Sequence, residues 1–272
     1  MSGKLYIVGT PIGNLSDMSP RAIEVLSCVD FIAAEDTRVT LKLLTHFNIK
    51  KPLISYYEHN KKDHGEEILN KILGGQSCAI VTDAGMPCIS DPGEELVRQA
   101  HIMGVKVESV PGPSAVITAL AVSGMQTGRF TFEGFLSVNK PSRRRHLAEI
   151  ANEKRTMVFY EAPHKLLNTL KDMLETLGNR EITLARELTK LHEDIIKTNL
   201  SDAVEYFTEN TPRGEFVLIV EGAKEVKEEY TFEEAVKLAK EWTEKGEAAS
   251  FAAKRAAELS GFKKGDIYKQ LF

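Results

Sequence analysis

The sequence predicts an α/β protein of two lobes followed by a small helical domain. Short β-rich runs alternate with helical patterns along most of the chain, and in the first half the strand candidates are almost wholly apolar. Apolar strands separated by helices are typical of a parallel sheet covered on both faces. Near the end of the chain only helical spacing is found. We therefore expect an N-terminal lobe over 1–118, a second lobe over 119–224 and a helical domain over 231–272.

In the N-terminal lobe, five predicted strands alternate with four helical patterns. The strands are Leu5–Val8, Phe31–Ala34, Leu53–Tyr57, Cys78–Val81 and Val105–Val110. Pro20 marks the first turn of the first helix, because proline fits that position, and the other helices are expected at 38–47, 63–73 and 93–103. This order predicts a largely parallel sheet.

In the second lobe, the β-rich runs adjoin one another more often, which favours a mixed sheet. A helix is expected directly after Val110–Pro113. The later strands are Phe130–Phe132, Thr156–Tyr160, Ile182–Ala185 and Phe216–Val220, and the later helices 141–152, 164–177 and 201–208.

The C-terminal residues have a different composition. A charged linker, 224–229, precedes a segment in which apolar residues recur at helical spacing. Those of its first helix are Phe232, Ala235, Val236, Ala239 and Trp242.

Bulk properties limit the classes of function. The net charge of −4 is not that of a protein that coats nucleic acid indiscriminately, so any nucleic-acid site must be a local basic patch. Cys28, Cys78 and Cys88 have no CxxC spacing and are expected to be small buried apolar residues in a reducing compartment. The sequence has no HExxH pattern, signal peptide or long apolar run. We therefore expect a cytoplasmic protein without a structural metal.

Three loops rich in glycine and proline follow predicted strands of the N-terminal lobe. They are 9–14 (GTPIGN), 82–93 (TDAGMPCISDPG) and 110–115 (VPGPSA). In open α/β sheets, ligands bind at the carboxyl ends of the strands. Any one of these loops could be a simple turn, but three at one edge indicate a pocket lined by backbone groups. Neither GxGxxG after the first strand nor GxxxxGK[ST] occurs, so a nicotinamide site or a P-loop is not supported.

Together with several further segments, these loops resemble the tetrapyrrole methylase superfamily. The further segments are Ala34–Arg38, Tyr160–His164, Ala185–Lys190 and Arg213–Val217. Within the superfamily, the resemblance is to members that methylate a ribose 2′-hydroxyl of a decoding-centre cytidine in 16S ribosomal RNA. It extends over about residues 4–222 and more weakly beyond. Asp83–Gly85 stands where the porphyrin-type members carry a Gly-Asp-Pro turn, which argues against a tetrapyrrole substrate.

The resemblance implies that S-adenosylmethionine binds, without a metal, in a cleft between the lobes. The positions that match the family's cofactor loops, or are expected to face them from the second lobe, are Pro11, Ile12, Asp83, Ala84, Gly85, Ile89, Ser114, Ala115, Tyr160, Ala185 and Phe216. For Ile12 and Ile89, core packing is an equally good interpretation. The resemblance also implies a homodimer.

A hydroxyl that accepts a methyl group must lose its proton, so a positioned acceptor is expected. The candidates are Glu187 with Lys190, and Asp36 with Arg38; Glu35, Asp83, Glu161 and His164 are further possibilities. Lys190 could steer the hydroxyl, or act as a base if burial depressed its pKa. The alternatives are a solvated ion pair for Glu187 and Lys190, and a helix cap for Asp36.

RNA binding requires basic residues near the cleft. The densest run is Lys140 with Arg143, Arg144 and Arg145, which could bind phosphates or simply solvate a helix. Weaker candidates are Lys61, Lys62, Lys254, Arg255, Lys263 and Lys264. The alternative functions are methylation of a small tetrapyrrole or a protein side chain, and a non-catalytic RNA-binding module that kept the fold.

Overall fold

Two five-stranded sheets form the first unit of the chain, Met1–Ala223, and the second unit is Lys224–Phe272. A computed structural model describes residues 3–224 and 230–272. All of the predicted charged linker except Lys224 lies outside the described residues.

The first sheet is entirely parallel, as predicted. Its strands are β1 (Lys4–Val8), β2 (Phe31–Ala34), β3 (Leu53–Ser55), β4 (Cys78–Val81) and β5 (Lys106–Val110). Their order is β3-β2-β4-β1-β5, with β1 between β4 and β5. The carboxyl ends of β1, β2 and β4 therefore lie side by side near the middle of one edge.

Helices cover both faces of this sheet. They are α1 (Pro20–Cys28), α2 (Thr37–His46), α3 (Lys61–Leu73) and α4 (Gly93–Ile102). Along β1, Leu5 and Ile7 belong to the core cluster under α3 and α4, whereas Val8 belongs to the cluster under α1 and α2. Successive strand residues point to opposite faces, so the apolar strands of the sequence supply both cores.

The second sheet is mixed, also as predicted. Its strands are β6 (Phe130–Phe135), β7 (Thr156–Glu161), β8 (Glu181–Arg186), β9 (Asp194–Asn199) and β10 (Phe216–Val220), in the order β6-β7-β10-β8-β9. Only β6 and β7 pair in parallel; the other pairs are antiparallel. The sequence did not predict β9, an edge strand in which no residue is buried.

One face of the second sheet is covered by α6 (Lys140–Glu149), α7 (Pro163–Leu177) and α8 (Leu200–Glu209). The other face is covered by α5 (Ala115–Val122), whose Val116, Ala119 and Leu120 pack on strands β7, β8 and β10. The predicted lobe boundary at 118 falls inside α5. Because the buried side of α5 packs on the second sheet, this helix belongs to the second lobe.

The second unit is helical. It contains α9 (Phe232–Glu244), α10 (Ala249–Ser260) and α11 (Lys264–Lys269). Thr231 and Glu234 form a capping box at the start of α9. Its core consists mainly of alanine, which lets the helices approach closely; the buried members are Ala235, Ala239, Ala252, Ala253, Ala256 and Ile267.

The three cysteines differ in environment. Cys78 is buried and Cys88 is half-buried, but Cys28 is exposed. The prediction that each is buried is therefore wrong for Cys28. Helix α1 buries Ala22 and Leu26, and Cys28, two positions after Leu26, falls on the opposite side of the helix.

The described residues include no helix long and apolar enough to cross a membrane. Within the same residues, no cluster of three or more histidine, cysteine or acidic side chains is arranged to hold a metal ion.

Candidate active site

The three predicted loops meet at the carboxyl edge of the first sheet. Thr10 and Gly85 exchange two backbone hydrogen bonds of 2.9 and 3.1 Å. Gly9 and Gly112 approach so closely that a Cβ on either one would lie under 3 Å from the backbone of the other. Gly85 has a φ of +86°, which glycine adopts without strain. Glycine at these positions therefore allows the three loops to form one continuous surface.

A cleft of about 510 Å³ opens between this surface and the second sheet. That volume is typical of small-molecule sites. The predicted cofactor residues in its lining are Ile12, Asp83, Ala84, Gly85, Ile89, Ser114, Ala115, Tyr160, Ala185 and Phe216. Pro11 is buried and is not part of the lining. The structure thus brings together ten of the eleven residues expected around the cofactor.

Asp91 holds the longest loop in a strained conformation. Cys88 and Ser90 have positive φ values of 70° and 61°, which are uncommon for residues other than glycine. The Asp91 carboxylate accepts hydrogen bonds of 2.8 Å from the backbone N–H groups of Cys88 and Gly93. Burial raises the pKa of Asp91, although those two hydrogen bonds act against the rise. Strain held in this way is common at ligand sites.

Three carboxylates of the first lobe line the cleft, those of Glu35, Asp83 and Asp91. Glu35 accepts a 2.6 Å hydrogen bond from the Thr82 hydroxyl, and Asp83 accepts a 3.1 Å hydrogen bond from the backbone N–H of Asp36. Burial raises the pKa of Asp83, and the nearby Glu35 carboxylate raises it further. A raised pKa makes Asp83 a better proton acceptor than an ordinary carboxylate.

Asp36 and Arg38 do not line the cleft. Asp36 caps α2 by accepting from the backbone N–H of Arg38, and it also binds the Arg38 guanidinium at 2.7 Å. The hydrogen bonds from Arg38 lower the pKa of Asp36 to about 2. These contacts fit the alternative interpretation of Asp36 as a helix cap. They do not support a catalytic role for Asp36 and Arg38.

Glu187 and Lys190 meet at the end of β8, where Lys190 lines the cleft. The Lys190 ammonium donates to Glu187 and to Glu215, each at 2.9 Å. Glu187 and Thr189 have φ values of 50° and 66°. A Cβ at Gly13 of the first loop would lie 2.5 Å from Cγ of Lys190, so the two lobes touch closely here.

The pKa of Lys190 is shifted in the direction opposite to the one that a general base requires. Burial lowers it, but the hydrogen bonds with Glu187 and Glu215 outweigh burial and raise the pKa above its ordinary value. The same contact with Lys190 lowers the pKa of Glu187. The pKa of Lys190 is therefore not depressed in this structure, and its ammonium is held between two carboxylates.

Glu161 is a buried carboxylate on the second-lobe side. It accepts from the Thr169 hydroxyl at 2.5 Å, from the backbone of Ala162 at 2.8 Å and from Lys165 at 3.1 Å. With its oxygens bound in this way, it serves to fix the start of α7. His164 is exposed and does not line the cleft.

Several lining residues were not singled out from the sequence. Those within the recognised segments are Thr82, Met86, Ser90, Asp91, Ala162, Pro163, Leu188, Glu215 and Val217. Because these residues lie within the recognised motifs, the motifs could have identified them as candidate lining residues. Phe135 also lines the cleft but lies in no recognised segment.

The arginine run divides between the fold and the surface. Arg143 is buried, and its guanidinium binds Asp172 at 2.6 Å and the carbonyls of Ser137 and Val138. Arg144 binds Asp172 and Glu175. The expectation of phosphate contact therefore does not hold for Arg143, because the fold already uses its donors.

The other basic candidates are at the surface. Lys140 and Arg145 are exposed at and near the start of α6. Three of the weaker candidates are engaged in ion pairs, Lys61 with Glu58, Lys254 with Glu258 and Arg255 with Glu247. Lys62, Lys263 and Lys264 are exposed.

Residues 4–204 match the family described as Tetrapyrrole (Corrin/Porphyrin) Methylases. Among solved structures, diphthine synthase superposes with a TM-score of 0.60 at 11% identity, covering 81% of this chain and 90% of its own. A uroporphyrin-III C-methyltransferase from Thermus thermophilus, complexed with S-adenosylhomocysteine, superposes with a TM-score of 0.57 at 18% identity, covering 80% and 97%. At such identities the likeness shows the fold alone.

Sequence relatives are much closer. A protein of Synechocystis is 48% identical over 269 residues, which are 98% of this chain and 96% of the relative. One from Bacillus subtilis is 44% identical over 272 residues, covering 98% and 93%. One from Thermotoga maritima is 50% identical over 220 residues, which are 81% of this chain but 99% of the relative. All three are named ribosomal RNA small subunit methyltransferase I. The chain therefore belongs to the tetrapyrrole methylase family, and within it to the group of ribosomal RNA small subunit methyltransferase I.

Proposed function

We propose that this protein uses S-adenosylmethionine to methylate the ribose 2′-hydroxyl of a decoding-centre cytidine in 16S ribosomal RNA. The observation that carries the proposal is the cleft, in which ten of the residues expected around the cofactor meet. The names of the relatives support small-subunit ribosomal RNA as the substrate. The tetrapyrrole alternative is supported by the family description and by the fold, but none of the three sequence relatives named above carries a tetrapyrrole name.

The cleft residues fit the proposed cofactor. Gly9 and Gly112 let the backbones of two loops pack directly against each other, and Gly85, with its left-handed φ, lines the cleft without a side chain. Backbone amides and carbonyls of such loops suit the polar ends of a nucleoside cofactor, and Ala185 and Phe216 supply apolar walls. Ile12, Ser114 and the Asp83–Gly85 turn would hold the cofactor from the first lobe.

When bound, the cofactor supplies a methyl group activated for transfer to an oxygen nucleophile. Transfer of this kind is an in-line displacement, so the main task of the protein is alignment and exclusion of water. Lys190, held as a cation at the cleft wall, would orient an electron-rich group of the substrate. Asp83, a cleft carboxylate with a raised pKa, is the proposed acceptor of the proton that the hydroxyl loses.

The proposed partners are 16S ribosomal RNA within the small subunit and a second copy of the chain. The homodimer rests on the family resemblance, and light scattering of the purified protein measures it directly. Action on ribosomal RNA would place the protein in the cytoplasm.

The test is ribose-methylation mapping of 16S ribosomal RNA by mass spectrometry, in cells with and without the gene. We expect one 2′-O-methyl group in the decoding centre to disappear without the gene and to return when purified protein, S-adenosylmethionine and small subunits are combined. Calorimetry with S-adenosylhomocysteine is the control for the cofactor. Binding of that product without any change in ribosomal RNA would reject the substrate; no binding would reject the enzyme.

A further inference from the structure

A β-bulge near the end of β6 places an aromatic ring at the cleft. In the pairing of β6 with β7, Phe132 lies opposite Val158, Gly134 opposite Phe159 and Phe135 opposite Tyr160. Glu133 is the extra residue, and Gly134 has a φ of 66°. Without the bulge, residues 132 and 135 would point to opposite faces of the sheet, because their separation is odd. With it, both rings lie on the face that carries Tyr160.

The ring of Phe135 is held by a second ring and a cation. Its centroid lies 5.3 Å from that of Tyr160 at an angle of 55°, and the Lys165 ammonium lies 5.3 Å from the Phe135 centroid. Lys165 is itself bound to the buried Glu161 at 3.1 Å. An aromatic ring held by a second ring and a cation loses little further freedom when something stacks on it.

The ring is also open to solvent. Phe135 is 59% exposed and Ile89, another residue of the cleft lining, is 55% exposed, whereas Phe216 and Ala185 are 3% and 1% exposed. Phe135 and Ile89 thus form an apolar rim, while the residues that would enclose a cofactor form the floor. Exposed apolar side chains grouped at a cleft entrance are a feature of ligand-binding grooves.

We propose that Phe135 is a stacking platform for the base of the nucleotide to be methylated, a role that rests on the proposed function. A ribose inside a cleft requires that its nucleotide be turned out of the RNA stack, and proteins commonly hold such a base by stacking it on an aromatic side chain. The rim is where the base of such a nucleotide would lie when its ribose enters the cleft. The cofactor's adenine, by contrast, is served by the buried floor.

The test uses the full-length protein with S-adenosylmethionine and small subunits from cells that lack the gene. Base–aromatic stacking contributes about 1–3 kcal/mol, so we expect Phe135→Leu to lower kcat/KM for the subunit by about tenfold or more. Phe135→Trp should remain within about threefold of the wild type, since it keeps an aromatic face. The control is Tyr206→Leu, which removes an equally exposed ring on α8, outside the cleft lining.

Binding of S-adenosylhomocysteine, measured by calorimetry, should be the same in all four proteins. If Phe135→Leu weakened that binding in parallel with kcat/KM, the ring would belong to the cofactor and the inference would be overturned. Wild-type kcat/KM in Phe135→Leu would overturn it as well. Failure of the wild-type protein itself to methylate subunits would instead reject the proposed function, and the stacking role with it.

Discussion

Lys190 is the residue that we expect to contribute most directly to the chemistry of the cleft. Two carboxylates hold its ammonium, and their hydrogen bonds keep its pKa above the ordinary value of 10.5. The strained backbone of Glu187 and Thr189 fixes it there. Such strain is found where a side chain must be held in one place.

We expect charge, not basicity, to be what Lys190 contributes. Lys190→Met should lower kcat/KM for the small subunit by about 100-fold, in the range for removal of one preorganised electrostatic group. Lys190→Arg keeps the charge and should lose markedly less. The raised pKa keeps the wild-type lysine protonated at neutral pH. If the charge is what matters, kcat/KM should not rise when the pH is increased and Lys190 begins to lose its proton.

The control for Lys190 is Lys197→Met, which removes an exposed lysine of β9 whose nearest carboxylate, on Glu181, lies 4.0 Å away. Its activity should equal that of the wild type. Equal inactivity of the Arg and Met variants, with a wild-type rate that climbs on the alkaline side, would show instead that Lys190 is a base.

Arg145 and Lys140 are the members of the basic run that remain available to RNA. Both are exposed, whereas Arg143 is buried and Arg144 is bound to two carboxylates. If Arg145 and Lys140 contact phosphates, the Lys140→Ala/Arg145→Ala double variant should flatten the salt dependence of subunit binding. The expected change is about 0.7 in log–log slope for each lost contact.

Cofactor affinity should be unchanged in that double variant, since neither residue lines the cleft. Arg98→Ala, which removes an exposed arginine of α4 paired with Glu95, is the matched control. A double variant with the same slope as Arg98→Ala would move the RNA-binding surface away from α6.

Among the elements, α6 and α7 are joined by a buried ion pair. Asp172 of α7 is 2% exposed and receives Arg143 and Arg144 of α6. Burial raises the pKa of Asp172, but the hydrogen bonds from the two arginines outweigh it and lower the pKa overall. Because this ion pair is buried, the loss of either partner should lower the stability of the fold strongly.

Asp172→Ala should therefore lower the free energy of unfolding by about 3–5 kcal/mol, because it leaves the Arg143 charge buried and unpaired. Glu175→Ala removes the exposed partner of Arg144 and should cost less than about 1 kcal/mol. Urea denaturation of the two variants measures the difference. Replacing both charged residues, as in Arg143→Met/Asp172→Leu, should recover most of the free energy of unfolding that Asp172→Ala loses. If Asp172→Ala and Glu175→Ala both lowered the free energy of unfolding by the same small amount, the buried pair would contribute nothing to stability.

The same buried ion pair is an example of a feature that the sequence could not predict. A run of three arginines predicts a basic surface, but Asp172 lies 29 residues after Arg143, so their pairing depends on tertiary packing alone. Strand β9 was missed because its half-exposed residues give neither an apolar run nor clear alternation. Phe135 was missed because the bulge, which one sequence does not show, decides the face on which its ring lies.

At the scale of the molecule, the sequence predicted the parts governed by local rules. The apolar strands and the Gly/Pro loops predicted a parallel sheet with a ligand edge, and the cleft lies at that edge. The lobe boundary, by contrast, depends on which sheet α5 packs against. Its apolar residues are compatible with either sheet, so spacing alone could not place it.

We expect the two units to have different roles, with the cofactor cleft in the first unit and additional RNA contacts in the second. The cleft lies within residues 1–223, and the Thermotoga maritima relative aligns over 220 residues, almost its entire length. That relative carries the same name and is shorter than this chain, since the 220 aligned residues are 99% of its length and 81% of this chain. In this chain, the exposed Lys263 and Lys264 would add contacts to RNA phosphates.

Ending the chain at Ala223 should therefore leave S-adenosylhomocysteine affinity within about threefold of the wild type and weaken small-subunit binding by about tenfold or more. Calorimetry measures the first and filter binding the second, with Lys263→Ala/Lys264→Ala in the full chain as the matched control. If phosphate contacts explain the loss, the double variant should reproduce part of it and also flatten the salt dependence. Parallel loss of cofactor and subunit binding in the shortened chain would show that the helical unit supports the cleft itself, and an unchanged subunit affinity would confine RNA binding to the first unit.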